Sequence, residues 1–159
     1  MAHPSILNDV IGPIMRGPSS SHTAGAYRIA RMACDLAGST PRVIRVTFDP
    51  DGSYAPTCTA LGVDKAFAAA VMRWEMTDGR YPDAVTAVAD AGIDLRFDEG
   101  SLEHDHHPNA ARIRIECADG RMHEMWARSV GGGIVEYTRV DGRPARFDGR
   151  AWTTVVGCP

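Results

Sequence analysis

Lysine is almost absent from this chain: Lys65 is the only one, and arginine makes up the rest of the 17 basic residues. A pyridoxal phosphate Schiff base would therefore depend on one lysine in "GVDKAF", at the start of an apolar-periodic stretch where a helix-surface role is the simpler reading. The arginines form no block, and with a net charge of -3 the chain lacks the clustered basic face that a nucleic-acid partner requires. No apolar run approaches the ~20 residues of a membrane helix. The opening "MAHPSILNDV" lacks the basic-then-apolar order of a signal peptide, so a cytoplasmic protein is expected. Cys34, Cys58, Cys117 and Cys158 lie far apart with no C-x-x-C pair, so no metal or cluster site is expected on this chain. Cys34 and Cys117 read as small buried hydrophobes. A G-x-S-x-G elbow is missing as well.

What is present suits one domain over 1–159, since 44% of the residues are hydrophobic. The spacing of Ala26, Ile29, Ala30, Ala33, Leu36 and Ala37 predicts a helix over 24–37, capped by Ser20 or Ser21 and stopped by Gly38. "RVIRVTF" predicts a strand at 42–48, ended by the turn signal "DPDGS". Further helices are expected at about 63–75 and over "DAVTAVADAG", and a strand at 93–97. The second half alternates instead. A hairpin is predicted around Asp119-Gly120, a strand over "IVEYTRV", and a weaker strand pair at about 144–156. Helices early and antiparallel strands late imply an α+β fold, with helices on one face of a mixed sheet.

Two stretches carry candidate chemistry. "GPSSSHTAGA" at 17–26 sets Ser19, Ser20, Ser21, His22 and Thr23 at a helix entrance, where unpaired N–H groups and the dipole favour a carboxylate. Simple capping would need only one of these residues. A serine nucleophile served by His22 is the weaker reading, because residues adjacent at a helix start rarely point at each other and no orienting acid is evident. "HDHHPNA" brings His104, His106 and His107 together, which raises a stand-alone metal hydrolase as an option, although the spacing fits no standard zinc pattern. His104 and His106 read as solvated loop residues and His107 as the functional candidate. Gly131 to Gly133 either permits a close ligand approach or bends a strand.

Together, "IGPIMRGPSSSHTAGAYRIA" at 11–30, "GSYAPT" at 52–57, "HPNAARI" at 107–113 and "SVGGGIVEYTRVDG" at 129–142 resemble the β subunit, or β domain, of the iron–sulfur-dependent L-serine dehydratases. The fold this implies is also similar to the small-molecule-binding domain of some phosphoglycerate dehydrogenases. The resemblance implies a lyase of amino acid metabolism, working as a heteromer. A separate α subunit holds a [4Fe-4S] cluster that activates the substrate's hydroxyl, a base takes the α-proton, and the enamine left after loss of water hydrolyses to a 2-oxo acid and ammonia. It further implies catalytic roles for His22 and His107, and substrate contacts from Ser19, Ser20, Ser21, Thr23, Ser53 and Asn109. Where the family reads G-S-x-A-x-T-x-x-G-H-G-T-D, this chain has "GSYAPTCTALGVD". Its base histidine thus falls at Leu61, with Ala60 and Val63 at the neighbouring glycine and threonine; Gly62 and Asp64 are kept. His22, His107, Cys58 or an α-subunit residue would have to take that proton. Separate β subunits of the family usually carry a regulatory ACT domain as well, and none is expected within 1–159. The alternative is a non-catalytic module that binds a small carboxylate for a partner enzyme.

Overall fold

A computed structural model describes residues 12–151 other than 104, together with 153 and 154. The elements run α1 (Ala26–Ala37), β1 (Pro41–Phe48), α2 (Tyr54–Thr57), α3 (Val63–Val71), α4 (Ala84–Asp90), β2 (Asp94–Glu99), β3 (Ala110–Cys117), β4 (Met122–Gly131), β5 (Ile134–Val140) and β6 (Arg143–Phe147). The strands form a six-stranded sheet in the order β2-β1-β3-β4-β5-β6. The β1–β2 pair is parallel, because the helical crossover returns the chain in the same direction, and every other pairing is antiparallel. This is the expected α+β arrangement.

Alternation along the strands decides which face is covered. Ile44, Val46 and Phe48 of β1, Ile113 and Ile115 of β3, Met125 and Ala127 of β4, and Val135 and Tyr137 of β5 are buried in one core with α1 and α3. The two helices meet through alanines: Ala26, Ala30, Ala33 and Ala37 on α1, and Ala66, Ala69 and Ala70 on α3, are all buried. Small side chains there let the helix axes approach closely. The Tyr137 hydroxyl crosses the core to donate to the Ile29 carbonyl at 2.6 Å. The opposite face of the sheet is crossed by the segment after β2. Its Leu102 is buried with Ala110 and Trp126, and its buried Asp105 accepts from Arg128 at 3.2 Å.

Three expectations change. Helix α3 stops at Val71 instead of running to about 75, because Arg73 turns left-handed at φ 58. The Trp74 N–H then reaches back to the Ala69 carbonyl at 2.9 Å and the Arg73 N–H to Ala70 at 3.1 Å, the two bonds of a Schellman stop made without glycine. Of the strand pair expected near 144–156, the described residues hold one strand, β6, which pairs with β5, and 148–151 are turn-like. Residues 152 and 155–159, including Cys158, lie outside the described residues. Neither Ser20 nor Ser21 caps α1: the chain enters it through one wide turn in π geometry, Ser21–Gly25, and Ser20 makes no side-chain cap bond. Gly38 does end the helix, at φ 65 with its N–H on Cys34. Among the described residues no helix is long and apolar enough to cross a membrane.

Candidate functional site

Three central strands bring the quoted motifs to one end of the sheet. β1 ends just before the turn that holds Ser53, β3 begins just after His107 to Asn109, and the later part of β4 carries Ser129. The turn after β1 is joined directly to the histidine loop, since the Ser53 N–H donates to the Pro108 carbonyl at 2.7 Å. Gly52 has no side chain for a physical reason: a Cβ there would lie 2.9 Å from that same carbonyl oxygen. Tyr54, fully buried in the short α2, donates its hydroxyl to the Ser21 carbonyl at 2.8 Å and meets the His22 ring edge-on at 5.2 Å. The π turn is pinned from below.

His22 is the centre of the arrangement, only 6% exposed. Its Nδ1 lies 2.8 Å from Ser19 Oγ and its Nε2 lies 3.2 Å from Ser53 Oγ. With the ring proton on Nε2, facing Ser53, Nδ1 accepts from the Ser19 hydroxyl, whose oxygen in turn accepts the His22 N–H at 3.4 Å. Serine and histidine at this helix start therefore do point at each other, against the sequence-based expectation, because Ser19 caps the turn: its Oγ accepts the His22 N–H three residues on, while its carbonyl accepts from Thr23. Among the described residues no carboxylate bonds the imidazole. Its second partner is a hydroxyl, so a nucleophilic triad is not assembled.

The helix entrance offers less to an anion than the serine run implies. The Thr23 N–H is bound to the Ser19 carbonyl at 3.2 Å and the Gly25 N–H to Ser20 at 2.8 Å, and His22 has used its own on Ser19. Thr23 is 2% exposed and turns its hydroxyl back to the Ser19 carbonyl at 3.0 Å, which makes it part of the frame. Ser20 and Ser21 are half-buried, and their hydroxyls make no hydrogen bond among the described residues. They remain available. In the neighbouring loop the Asn109 N–H donates to His107 Nδ1 at 3.1 Å, so His107 presents Nε2–H as a donor. Asn109 Oδ1 is buried without a partner, an acceptor still in need of a donor. Position 61 belongs to the same neighbourhood: a Cβ on Gly62 would stand 4.0 Å from the Thr23 methyl.

The chain is 40% identical over 142 residues to a protein of Bacillus subtilis (strain 168) named "Probable L-serine dehydratase, beta chain". It is 32% identical over 151 residues to "L-serine dehydratase, beta chain" of Peptoniphilus asaccharolyticus. The chain belongs to the L-serine dehydratase beta-chain family. These matches take in 89% and 95% of the chain, and the chain spans 62% and 67% of the lengths of the two relatives. No protein-family profile matches it.

For this beta-chain family member the thiols deserve a direct test against an iron–sulfur cluster, which is held by several cysteine thiolates. Cys34 and Cys117 are buried in the core, and burial pushes Cys34 up to about 11. Burial, with Asp64 nearby, pushes Cys58 up to about 11 as well. It stays a thiol at neutral pH and is a poor proton acceptor, which removes it as a substitute base. Among the described residues no group of three or more His, Cys, Asp or Glu converges on a point, and they do not fit a cluster. His106 is exposed, and His104 lies outside the described residues.

Burial also holds the beta chain's His22 below its ordinary value of 6.5, against a smaller opposing effect from its hydrogen bond to the Ser53 backbone. The imidazole is neutral at pH 7, with a lone pair on Nδ1. As pH falls, the unfolded chain takes up this proton before the folded chain does. The site's contribution to stability is thus complete above about 6.5 and is lost below it, down towards the lowered folded value. We expect this histidine to add a slope of no more than about 1.4 kcal/mol per pH unit in that window. Urea unfolding from about pH 7.5 to about pH 5.5 measures it, and His22→Asn should flatten that part. Equal slopes in the two proteins would place the effect elsewhere.

Proposed function

We propose that this chain is the beta subunit of an L-serine-dehydratase-type lyase that eliminates water from a small β-hydroxy amino acid. Its place of work would be the cytoplasm, beside a separate alpha subunit that carries a [4Fe-4S] cluster. The observation that carries the reading is the neutral, buried His22 held between Ser19 and Ser53, where the family's own motifs meet. In that division of labour this chain would bind substrate and move a proton, and the cluster would belong to the partner.

With leucine at position 61, the proton must go elsewhere. Ser19 can take the α-proton at Oγ as it passes its own proton to His22 Nδ1, giving an imidazolium whose Nε2–H faces Ser53. The free hydroxyls of Ser20 and Ser21 and the Nε2–H of His107 would receive the substrate carboxylate. Asn109 Oδ1 would accept from its ammonium. Loss of the β-hydroxyl as water leaves an enamine, and hydrolysis gives the 2-oxo acid and ammonia. Cluster chemistry, where bound on the partner, supplies Lewis-acid activation of that hydroxyl. The test is co-expression with alpha subunits from neighbouring reading frames, anaerobic reconstitution with iron and sulfide, and assay of 2-oxo acid release from serine and threonine. A complex that holds a cluster and turns over neither is the result that defeats the reading.

A further inference from the structure

Among the described residues β2 closes one end of the sheet and pairs on one side only, in parallel register from Val43↔Asp94 to Phe48↔Glu99. The two edges of the sheet differ. β6, at the other end, carries Pro144, which removes a ladder donor, whereas β2 contains neither proline nor glycine and its register runs without a bulge. The helix layer also stops short of β2. Ile93, Leu95 and Phe97 face the core side yet are only half-buried, and beside them a cavity of about 390 Å³ is walled by Val85, Val88 and Ala89 of α4. Val85 is 42% exposed. On the opposite side of the strand, Asp94, Arg96 and Asp98 alternate in sign.

We propose that a second copy of this chain covers this edge, its β2 running antiparallel to the first about a two-fold axis at Leu95. The side chains select that register. It sets Asp94 of one copy opposite Arg96 of the other, twice, and on the core side it sets Leu95 against Leu95 and Ile93 against Phe97. An axis at Arg96 would oppose Asp94 to Asp98 and Arg96 to itself. An axis at Phe97 would oppose Arg96 to Asp98 twice, but it would set Glu99 against Leu95 on the apolar side. Only the Leu95 register matches charge on one face and apolar surface on the other. The result is a continuous twelve-strand sheet, with the half-buried edge residues and Val85 brought under cover. Within one copy Arg96 already holds Asp94 at 2.7 Å on the surface, a pair that can be re-formed between copies at little cost. The strand edge contains none of the residues placed at the candidate site, and the inference stands whether or not the lyase reading does.

Sedimentation equilibrium of the full chain tests it, with circular dichroism to confirm that each variant is folded. The expected mass is twice 17.1 kDa. Arg96→Asp places like charges opposite each other at both pairs and should weaken the dimer about tenfold or more. The double exchange Asp94→Arg with Arg96→Asp restores opposite charges and should restore the dimer. A single-chain mass at every loading concentration overturns the proposal. So does a dimer that Arg96→Asp leaves unchanged, or one that the double exchange fails to recover.

Discussion

Asparagine in place of His22 is expected to slow 2-oxo acid release in the reconstituted complex by about 10²- to 10⁴-fold, the range for loss of a general base. KM should move little, because His22 is buried behind Ser19 and would not touch the bound substrate. The expectation rests on the direction of two hydrogen bonds. The Ser19 hydroxyl donates to Nδ1 and is the group through which the imidazole reaches outward, so Ser19→Ala should cost nearly as much as the histidine variant. Combining the two should cost no more than the larger single effect, since groups acting as one unit are not additive. Ser53→Ala should cost less, because it removes a partner of the imidazolium and leaves the acceptor in place. Iron content and the melting temperature of each complex separate a chemical effect from a folding one. Additive losses for Ser19 and His22 would show that they do not work in series.

A single methyl group at position 25 should be among the most damaging changes to stability. A Cβ on Gly25 would stand 2.8 Å from the Ser129 Cβ, inside any normal contact, and both residues are buried. Neither side can yield easily. Gly25 closes the π turn through its N–H on Ser20, while Ser129 sits in β4 with its N–H on the Asn109 carbonyl at 3.0 Å. Gly25→Ala should therefore cost about 1–3 kcal/mol, as overpacking in a tight interior does. The clash has a specific signature in a double-mutant cycle. Ser129→Gly removes the opposing Cβ, so Gly25→Ala should cost much less in that background, whereas Ser129→Ala should give little relief. Urea denaturation of the four proteins measures the coupling, and its absence would mean that the two segments do not meet so closely.

Much of this fold was legible because its signals were local and of one period. α1 showed its apolar face at helical spacing and its glycine stop, β5 matched "IVEYTRV" residue for residue, and Asp119-Gly120 marked the β3–β4 hairpin. What went unread depended on groups distant in sequence. The apolar period of α3 continues to Trp74, but Arg73 takes the left-handed position that glycine usually announces. α2 is one short turn within "GSYAPT", with a proline inside it, and is held by the burial of Tyr54.

The candidate site divides the same way. The serine run and the H-P-N pair stood out as sequence, yet Tyr54, Ser129 and Gly25, which hold His22 in place, lie within the quoted stretches with nothing to mark them as its supports. Only the packing of Tyr54 beneath Ser21 and of Gly25 on Ser129 reveals them. The expected helix cap failed for a related reason: a π turn and an α turn are built from the same residue types, and choosing between them is a tertiary matter.

The π turn makes the length of the serine run a constraint separate from its composition. Its defining bond spans five residues, from the Gly25 N–H to the Ser20 carbonyl, where an ordinary helical turn would span four. A deletion of one residue among 23–25 would let the chain wind as plain α-helix. Everything upstream would then rotate by about 100° about the axis, the angular step of one residue. Ser19 and His22 would turn together and keep their own bond, but the imidazole would leave Ser53 and Tyr54. The run can change its letters more freely than it can change their number, and a descendant that lost one residue here would be a folded protein whose serine and histidine faced away from the neighbouring loop.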